Sequence, residues 1–376
     1  MTALIGWDIG GANVKAARLA VDPAGPGRPG SVRVERSVSV PFALWRDPGR
    51  LPAVLAGLAA ELGRADAHAV TMTAELADVF PTRREGVLAV LAAVEEALGP
   101  GAPIHVWTTR GRFCSPPEAR GRPLEAAAAN WVATAAWLAG QVPACLLVDV
   151  GSTTADIIPI VGGRVAAAGW DDPSRLATGE LVYTGVLRTP VATLADAVPI
   201  GGRWARLAAE TFAVTGDVHV ALGHLAPEAY AGETPDGRGR DRRSCLARLA
   251  RAVCADLETL AEAQVLVAAR FLAQAQAHRI AAAVLQVLSR LAGRDGAAGP
   301  LPVIGTGLGR FLARDVAGWL GLPYRDLDDL LAAGEQAPEG GALARGQAAP
   351  AAAVAALLAQ HLAGGARRPD RAVTGP

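Results

Sequence analysis

The sequence predicts an α/β protein long enough for two domains. Apolar, strand-like segments alternate with helix-like segments along the 376 residues, which is the pattern of α/β folds. Hydrophobic residues make up 51% of the chain, which is enough for a large buried core and excludes disorder of the whole chain. A turn of the form acid–x–Gly follows an apolar strand twice, at Asp8 and at Asp149.

The first half of the chain alternates between the two kinds of element. Helix-like spacing of apolar residues marks three segments, and the second of them ends at Gly99-Pro100, a typical helix stop. The Pro/Gly-rich stretch 23–30 is a predicted loop. The predicted strands are 3–7, 14–21, 31–40, 69–72 and 104–108, and the predicted helices are 51–62, 85–98 and 124–138.

The second half repeats the pattern with a longer helical part. Residues 245–291 have helical spacing over a length that predicts two helices, and the polar segment 364–376 is predicted to be disordered. The predicted strands are 145–148, 155–161 and 302–304, and further helices are predicted from the Gly-rich turn at Gly305 to about 320 and over 351–362.

Composition and charge exclude several classes of protein. Lys plus Arg number 36 and Asp plus Glu number 36, so the chain lacks the positive field needed to coat nucleic acid or an anionic membrane. The four cysteines form no CxxC pair and the histidines form no HxxxH motif, which argues against structural zinc and a disulfide scaffold. No signal peptide or transmembrane helix is recognisable, so we expect a soluble, cytoplasmic protein.

An internal repeat is the most informative feature of the sequence. The segment from Trp7 to Asn13 aligns with that from Val148 to Thr154, 141 residues later. Both place an acid after an apolar strand, then a Gly turn, then a second strand. Self-similarity at about a domain's length predicts two related lobes facing each other across a cleft. The predicted division is 1–144, 145–363 and the tail.

Each copy of the repeat has the composition of a phosphate site. Tight Gly turns expose backbone N–H groups to phosphate oxygens, and hydroxyl side chains add donors. Carboxylates from opposite lobes can hold a hydrated Mg²⁺ that bridges phosphates, so Asp8 and Asp149 are candidate metal ligands and catalytic residues. A pair of purely structural hairpins is the alternative. The candidate phosphate-binding residues of the two copies are Gly10, Gly11, Asn13, Gly151, Ser152, Thr153 and Thr154.

Lys15 is the single lysine among the 36 basic residues. In a sequence in which arginine takes the place of lysine almost everywhere, a remaining lysine indicates a role that a planar guanidinium does not fill. A compact ammonium can neutralise phosphate oxygens at close range. Lys15 is therefore a candidate catalytic residue, and chance survival in a strand is the alternative.

Two further sets of acids are weaker candidates. Asp156 takes the place of Lys15 in the second copy, where it could orient metal-bound water or accept a proton, or simply be a carboxylate at a strand edge. Glu75 and Asp78 precede Arg83 and Arg84 in a loop after a strand. Loops at this position often bind substrates, and a solvated turn with local ion pairs is the alternative.

Three other features have structural explanations. The arginine-rich loop 236–243 could grip acceptor carboxylates, although an exposed charged loop is the simpler interpretation. His219 and His224 are five residues apart, a poor spacing for a shared metal on a helix, and we interpret them as structural. The segment from Gly305 to Gly309 has Arg310 where a dinucleotide fingerprint needs glycine, which excludes a Rossmann motif.

Several motifs resemble those of a known superfamily. DIGGANVK and DVGSTTAD are similar to the two phosphate motifs of actin-like ATPases, and VIGTGLGRFLA resembles their third, nucleotide-side Gly motif. Within that superfamily, segments such as TMTAELADVFPTRREGV, LATGELVYTGVLRTPV and TPDGRGRDRRSCLARLARAVCADLE resemble hydantoinase A/oxoprolinase-like proteins of tetrahydromethanopterin-linked one-carbon metabolism. The resemblance implies a two-lobed actin-like (ribonuclease H-like) fold with a central phosphate-binding cleft, and adds Gly305 and Gly307 to the phosphate-binding candidates.

The resemblance also implies an activity. The group includes an enzyme of methanofuran biosynthesis that joins a furanmethyl diphosphate donor to the phenol of a tyramine or tyrosine-type acceptor and releases diphosphate. We therefore expect an Mg²⁺-dependent transferase whose partners are these small molecules. An ATP-dependent kinase or hydantoinase-like enzyme, and a non-enzymatic nucleotide sensor, remain alternatives. The sequence leaves open the acceptor and the oligomeric state, for which a homodimer is one candidate.

Overall fold

The computed structural model describes residues 2–22, 31–293, 299–332 and 348–364. They form two compact units: the described parts of Met1–Cys145, Ile158–Ser174 and Leu327–Pro376 make the first, and Leu146–Ile157 with Arg175–Asp326 make the second. The chain returns to the first unit at 158–174 and again after 326. The sequence predicts instead a single boundary between the lobes at 144/145, and that division stays a prediction. The predicted loop 23–30 and, apart from Gly364, the predicted tail lie outside the described residues.

A six-stranded sheet, in the order β3-β2-β1-β4-β5-β6, organises the first unit. Strands β1, β4 and β5 are parallel, whereas β2 and β3 join as an antiparallel meander. The strands are β1 (Thr2–Ile9), β2 (Asn13–Asp22), β3 (Ser31–Pro41), β4 (Ala67–Met72), β5 (Ile104–Trp107) and β6 (Phe113–Cys114). The helices up to residue 139 are α1 (Leu51–Leu62), α2 (Arg83–Leu98), α3 (Pro116–Gly121), α4 (Pro123–Ala126) and α5 (Asn130–Ala139).

The two faces of this sheet pack against different helices. Alternate residues of β1 such as Ile5 and Trp7 join the leucines of α1 and the valines of α2 in one apolar core, because successive side chains of a strand point to opposite faces. The opposite face packs against the Ala-rich α12 (Ala349–Leu362). The contact is close: a Cβ on Gly6 would lie 1.9 Å from the carbonyl oxygen of Ala351. The last described helix therefore belongs to the first unit.

The second sheet repeats the strand order of the first. Its path is β10-β8-β7-β13-β14, so that the hairpin β7–β8 corresponds to β1–β2, and the parallel strands β13 and β14 correspond to β4 and β5. The strands from residue 144 onwards are β7 (Ala144–Val150), β8 (Ala155–Val161), β9 (Arg164–Val165), β10 (Leu181–Val182), β11 (Ala197–Ile200), β12 (Arg203–Arg206), β13 (Val303–Thr306) and β14 (Tyr324–Asp326). The repeat seen in the sequence is thus a repeat of topology.

The helices confirm one sequence prediction and show that another is wrong. The predicted pair within 245–291 is observed as α8 and α9, whereas the predicted helix 124–138 is broken into α4 and α5 because Ala128 adopts φ 48°, a left-handed conformation that no helix interior tolerates. The remaining helices are α6 (Asp172–Thr178), α7 (Thr215–Ala221), α8 (Arg242–Arg251), α9 (Glu262–Leu291), α10 (Arg310–Trp319) and α11 (Leu327–Ala332). Within the described ranges, no helix has both the length and the apolar character needed to cross a membrane.

Candidate functional site

The first hairpin brings Asp8 and Lys15 together. Their strands pair in antiparallel register with these two residues directly opposite, so both side chains lie on the same face of the sheet. Lys15 Nζ donates to Asp8 Oδ2 at 3.2 Å, and the Asp8 side chain is only 3% exposed. The ion pair places the single lysine beside the first candidate metal ligand.

The two Gly turns have the same hydrogen bond. The N–H of Gly10 donates to the carbonyl of Asn13 at 2.9 Å, and the N–H of Gly151 donates to that of Thr154, also at 2.9 Å. Neither glycine has a positive φ, so the turns do not depend on the left-handed region. Because these two N–H groups close their hairpins, a bound phosphate would meet N–H groups and hydroxyls of the following residues instead.

A row of polar atoms crosses the first sheet at the carboxyl ends of its parallel strands. Asp8 pairs with Thr71 of β4, and continuing the β4–β5 ladder by one residue places Trp107 beside Thr71. Asp8 Oδ1, Thr71 Oγ1 and Trp107 Nε1 are buried and have no hydrogen-bond partner among the described residues. Ligands of α/β folds bind at this edge of a sheet, so the row is a candidate binding surface. Sequence reasoning missed Thr71 and Trp107, because only strand register reveals them.

The second hairpin is held by the segment 185–187, for which the sequence predicts no role in the site. The N–H groups of Val186 and Leu187 donate to the carbonyls of Gly151 and Ser152 at 2.9 and 3.1 Å. Gly185 approaches the hairpin so closely that a Cβ there would lie 2.3 Å from the backbone nitrogen of Thr153. The conformation of the hydroxyl-bearing turn therefore depends on a glycine at position 185.

The third Gly motif lies against Asp149 within the second unit. Strand register pairs Thr306 with Asp149, and the N–H of Gly309 donates to the carbonyl of Val150 at 2.8 Å. Gly307 has φ 85°, and a Cβ there would lie 2.4 Å from Asp149 Oδ1. Gly305 instead packs against the Tyr324 hydroxyl, which a Cβ would approach to 2.4 Å. Gly307 thus borders the second acid, whereas Gly305 lies against β14.

Asp156 is engaged in an ion pair. Arg175, whose side chain is 2% exposed, donates through Nη2 to Asp156 Oδ1 at 2.7 Å. The same nitrogen donates to the carbonyl of Glu180. A carboxylate paired with a buried guanidinium is a weaker proton acceptor, because protonation would leave that cation uncompensated. The predicted catalytic role of Asp156 stays a prediction, and its contacts favour the structural alternative.

The residues at Asp8 fit a bound Mg²⁺. Its Oδ1 is a buried carboxylate oxygen without a hydrogen-bond partner among the described residues, which costs free energy unless a ligand compensates. Mg²⁺ prefers such hard oxygen ligands and needs only one or two carboxylates beside water and phosphate. No group of three or more His, Cys, Asp or Glu side chains in the described ranges is arranged to hold a metal, so any Mg²⁺ here would depend on substrate oxygens.

The arginine-rich loop 236–243 is anchored by a buried ion-pair network. Arg248, 1% exposed, contacts Asp217 at 2.8 Å and Asp236 at 2.9 Å. Asp236 Oδ1 also accepts the N–H of Arg238 at 3.1 Å. Asp236 therefore holds the loop in place, while the Arg238 side chain is 72% exposed and keeps only a 3.9 Å ion pair with Asp236.

His219 and His224 belong to a buried hydrogen-bond network that supports the Gly185 segment. Their Nδ1 atoms are 3.3 Å apart, and His219 Nε2 donates to Gln276 Oε1 at 2.8 Å. Gln276 Nε2 in turn donates to the carbonyl of Gly185 at 2.8 Å and to Thr184 Oγ1 at 3.0 Å. The histidines are structural, as the sequence spacing predicts.

Burial lowers the pKa of His219 to about 4, which predicts a pH-dependent stability. The unfolded chain binds a proton near the ordinary pKa of about 6.5, whereas the folded chain does not, so stability is lost as pH falls below that value. The wild type should lose unfolding free energy as pH falls from about 7 to about 5. In His219→Gln we expect this loss to be smaller by about 2 kcal/mol. Urea titrations at both pH values measure this, with exposed His278→Gln as control. If His219→Gln loses as much unfolding free energy over this pH range as the wild type, His219 is not the group responsible.

Comparison with known proteins adds two relatives and a solved structure. The chain is 38% identical over 256 residues to a "(4-{4-[2-(gamma-L-glutamylamino)ethyl]phenoxymethyl}furan-2-yl)methanamine synthase" of Methanocaldococcus jannaschii, covering 68% of this chain and 72% of that protein. It is 41% identical over 116 residues to a synthase of the same name from Methanococcus vannielii, covering 31% and 52%. The nucleotide-free structure of acetone carboxylase, from a study of ATP-dependent acetone carboxylation, matches 85% of this chain and 68% of its own, with a TM-score of 0.50 and 12% identity.

These similarities confirm the predicted fold class and family. The likeness to acetone carboxylase concerns the fold alone and agrees with the two-sheet α/β architecture. Both sequence relatives are named as synthases, which indicates an enzyme. The family model for hydantoinase/oxoprolinase matches residues 66–334, the segment that contains the second hairpin and the third Gly motif. The chain therefore belongs to the hydantoinase/oxoprolinase family.

Proposed function

We propose that this protein is a synthase of methanofuran-type cofactor biosynthesis that forms an aryl ether. It would condense an aminomethylfuran-methyl diphosphate with the phenol of a tyramine or tyrosine-type acceptor and release diphosphate. The observation that carries the proposal is the 38% identity to a synthase whose name describes a product with a phenoxymethyl group on a furan. That group contains the ether bond which the proposed reaction makes.

The proposed reaction requires the protein mainly to stabilise a leaving group. The furan can share the positive charge that develops on its methylene carbon as diphosphate departs, so the protein's task is to neutralise the departing charge and to position the phenol. Asp8 and Asp149 are the residues that would hold Mg²⁺, which when bound neutralises phosphate charge. Lys15 is the cation placed beside Asp8, and Ser152, Thr153 and Thr154 offer hydroxyl donors.

An ATP-dependent kinase or hydantoinase-like activity is the second candidate. It is favoured by the third Gly motif, which lies against Asp149 and which a site for diphosphate alone would not need. Calorimetric titration with diphosphate, ADP and ATP, each with Mg²⁺, separates the two candidates. Tight diphosphate binding without nucleotide preference supports the ether synthase, and a strong preference for ATP supports the alternative.

The direct test is product formation. The protein is incubated with the furanmethyl diphosphate, Mg²⁺ and, in separate reactions, tyramine, tyrosine or γ-glutamyltyramine, and the ether is identified by mass spectrometry alongside released diphosphate. We expect one ether per diphosphate, loss of both with EDTA, and recovery when Mg²⁺ is restored. Absence of ether with all three acceptors would contradict the proposal.

Lys15→Arg is expected to lower kcat about tenfold, or about 1.4 kcal/mol of transition-state stabilisation. Arginine keeps the charge but spreads it over a planar group that is too large for the 3.2 Å contact with Asp8 to be kept unchanged. Steady-state kinetics with the diphosphate substrate measure the change. Arg33→Lys, an exchange of cations at an exposed position of β3, is the control. Wild-type kcat in Lys15→Arg would show that any cation serves.

A further inference from the structure

One buried carboxyl group outside the two hairpins has an oxygen without a partner. Glu75 lies in the 3₁₀ turn Ala74–Leu76, directly after β4, and its side chain is 1% exposed. Arg83 Nη2 donates to Oε1 at 3.3 Å, whereas Oε2 is buried and has no hydrogen-bond partner among the described residues. The turn follows the carboxyl end of a parallel strand, the edge at which α/β folds bind their ligands.

The position of this carboxyl group is fixed by the start of α2. A Cβ on Gly86 would lie 2.3 Å from the carbonyl oxygen of Glu75, so the helix and the turn are in direct backbone contact. The same helix supplies Arg83 at its first residue. A carboxyl held at its backbone and at one oxygen presents its second oxygen in one direction, as a preorganised proton acceptor requires.

The charges around Glu75 come from two elements. Arg83 of α2 contacts Glu75 and also Asp172 of α6, the latter at 3.5 Å. Burial raises the pKa of Glu75 to about 7; Arg83 opposes this shift, and Asp172 adds to it. The Arg83 side chain is 25% exposed. A carboxyl group with a pKa of about 7 can accept a proton near neutral pH.

We propose that Glu75 is the general base that takes the proton of the acceptor phenol through Oε2. This inference rests on the proposed function. The phenol oxygen forms a bond to the furan methylene carbon, the bond from that carbon to diphosphate breaks, and diphosphate leaves with the electron pair. The phenol proton moves to Glu75 and later to solvent, so atoms and charge balance.

Glu75 suits this role better than Asp156, the acid that its place in the motif suggests. Asp156 is paired with a buried arginine at 2.7 Å. Glu75 contacts a partly exposed arginine at the longer distance of 3.3 Å, and its second oxygen has no hydrogen-bond partner among the described residues. A phenol has a pKa of about 10, and a base is most effective when its own pKa lies near the working pH. A positioned general base of this kind contributes roughly a hundredfold or more to the rate.

Glu75→Gln and Glu96→Gln form a matched pair for the test. Glu96 is an exposed acid of α2, so its amide variant controls for loss of a carboxylate from the same unit. In the wild type, kcat/KM for the phenolic acceptor should rise with pH to a plateau above about pH 7. Glu75→Gln should lose about a hundredfold in kcat and lose this rise, while calorimetric binding of diphosphate with Mg²⁺ and the melting temperature stay at wild-type values.

A nitrophenol acceptor separates proton transfer from other roles. Assayed at a pH well above its own pKa, it is ionised and needs no base, so Glu75→Gln should act on it within a few-fold of wild type. A rate unchanged by Glu75→Gln with the natural phenol, or an equal loss with both acceptors, would overturn the proposal while leaving the ether synthase activity standing. If the wild type makes no ether at all, the proposed function is wrong, and the role of Glu75, which rests on it, is wrong as well.

Discussion

Asp8→Asn is expected to lower kcat at least about a thousandfold, or about 4 kcal/mol of transition-state stabilisation, without lowering the melting temperature. Asparagine keeps the size of the side chain but removes the charge that a divalent cation needs. The wild-type carboxylate is buried with Oδ1 lacking a partner among the described residues. Because a buried charge without full compensation costs folding free energy, neutralising it offsets the weakened contact with Lys15. Activity and stability should therefore separate.

Steady-state kinetics over a range of Mg²⁺ concentrations, with a thermal melt of the same preparation, measure both quantities. Glu61→Gln is the control, since it removes a carboxylate from an exposed ion pair with Arg36 in the same unit, where the expected effect on stability is below about 1 kcal/mol. Full activity of Asp8→Asn at ordinary Mg²⁺ would exclude Asp8 as a metal ligand. A melting temperature many degrees below wild type would assign it a structural role instead.

Gly185→Ala is expected to destabilise the protein by about 3 kcal/mol and to abolish most of its activity. The added Cβ would lie 2.3 Å from Thr153 N and 2.5 Å from Ser152 O. Both are backbone atoms, so no side chain can rotate away and the hydroxyl-bearing turn itself must shift. The segment also donates hydrogen bonds to that turn, and these would be strained together with it.

Gly318→Ala is the matched control for this substitution. Gly318 lies inside α10 of the same unit, and a Cβ there would meet no atom within 4 Å. Alanine in a helix interior should therefore stabilise the protein by about 0.5–1 kcal/mol. Chemical denaturation of both variants measures the difference. A Gly185→Ala protein as stable and active as wild type would mean that the Gly185 segment does not determine the conformation of the turn.

The sequence alone was sufficient for features that depend on local patterns. The alternation of apolar segments predicts the α/β class, and the matched turns at Asp8 and Asp149 predict the repeat that the two sheets share. These predictions succeed since each depends on a few consecutive residues and on the fixed periods of strands and helices.

Only the tertiary structure could reveal features that depend on contacts between distant segments. The register of β4 and β5 places Thr71 and Trp107 in a row with Asp8, although neither residue type suggests a site. Glu75 and Asp156 each contact an arginine, and only the structure shows that Glu75 is the more deeply buried and has an oxygen without a partner among the described residues. The sequence therefore determined the α/β class and the repeated acid–Gly turn. The tertiary structure decided which polar atoms lack a partner, because burial and hydrogen bonding depend on residues far apart in the chain.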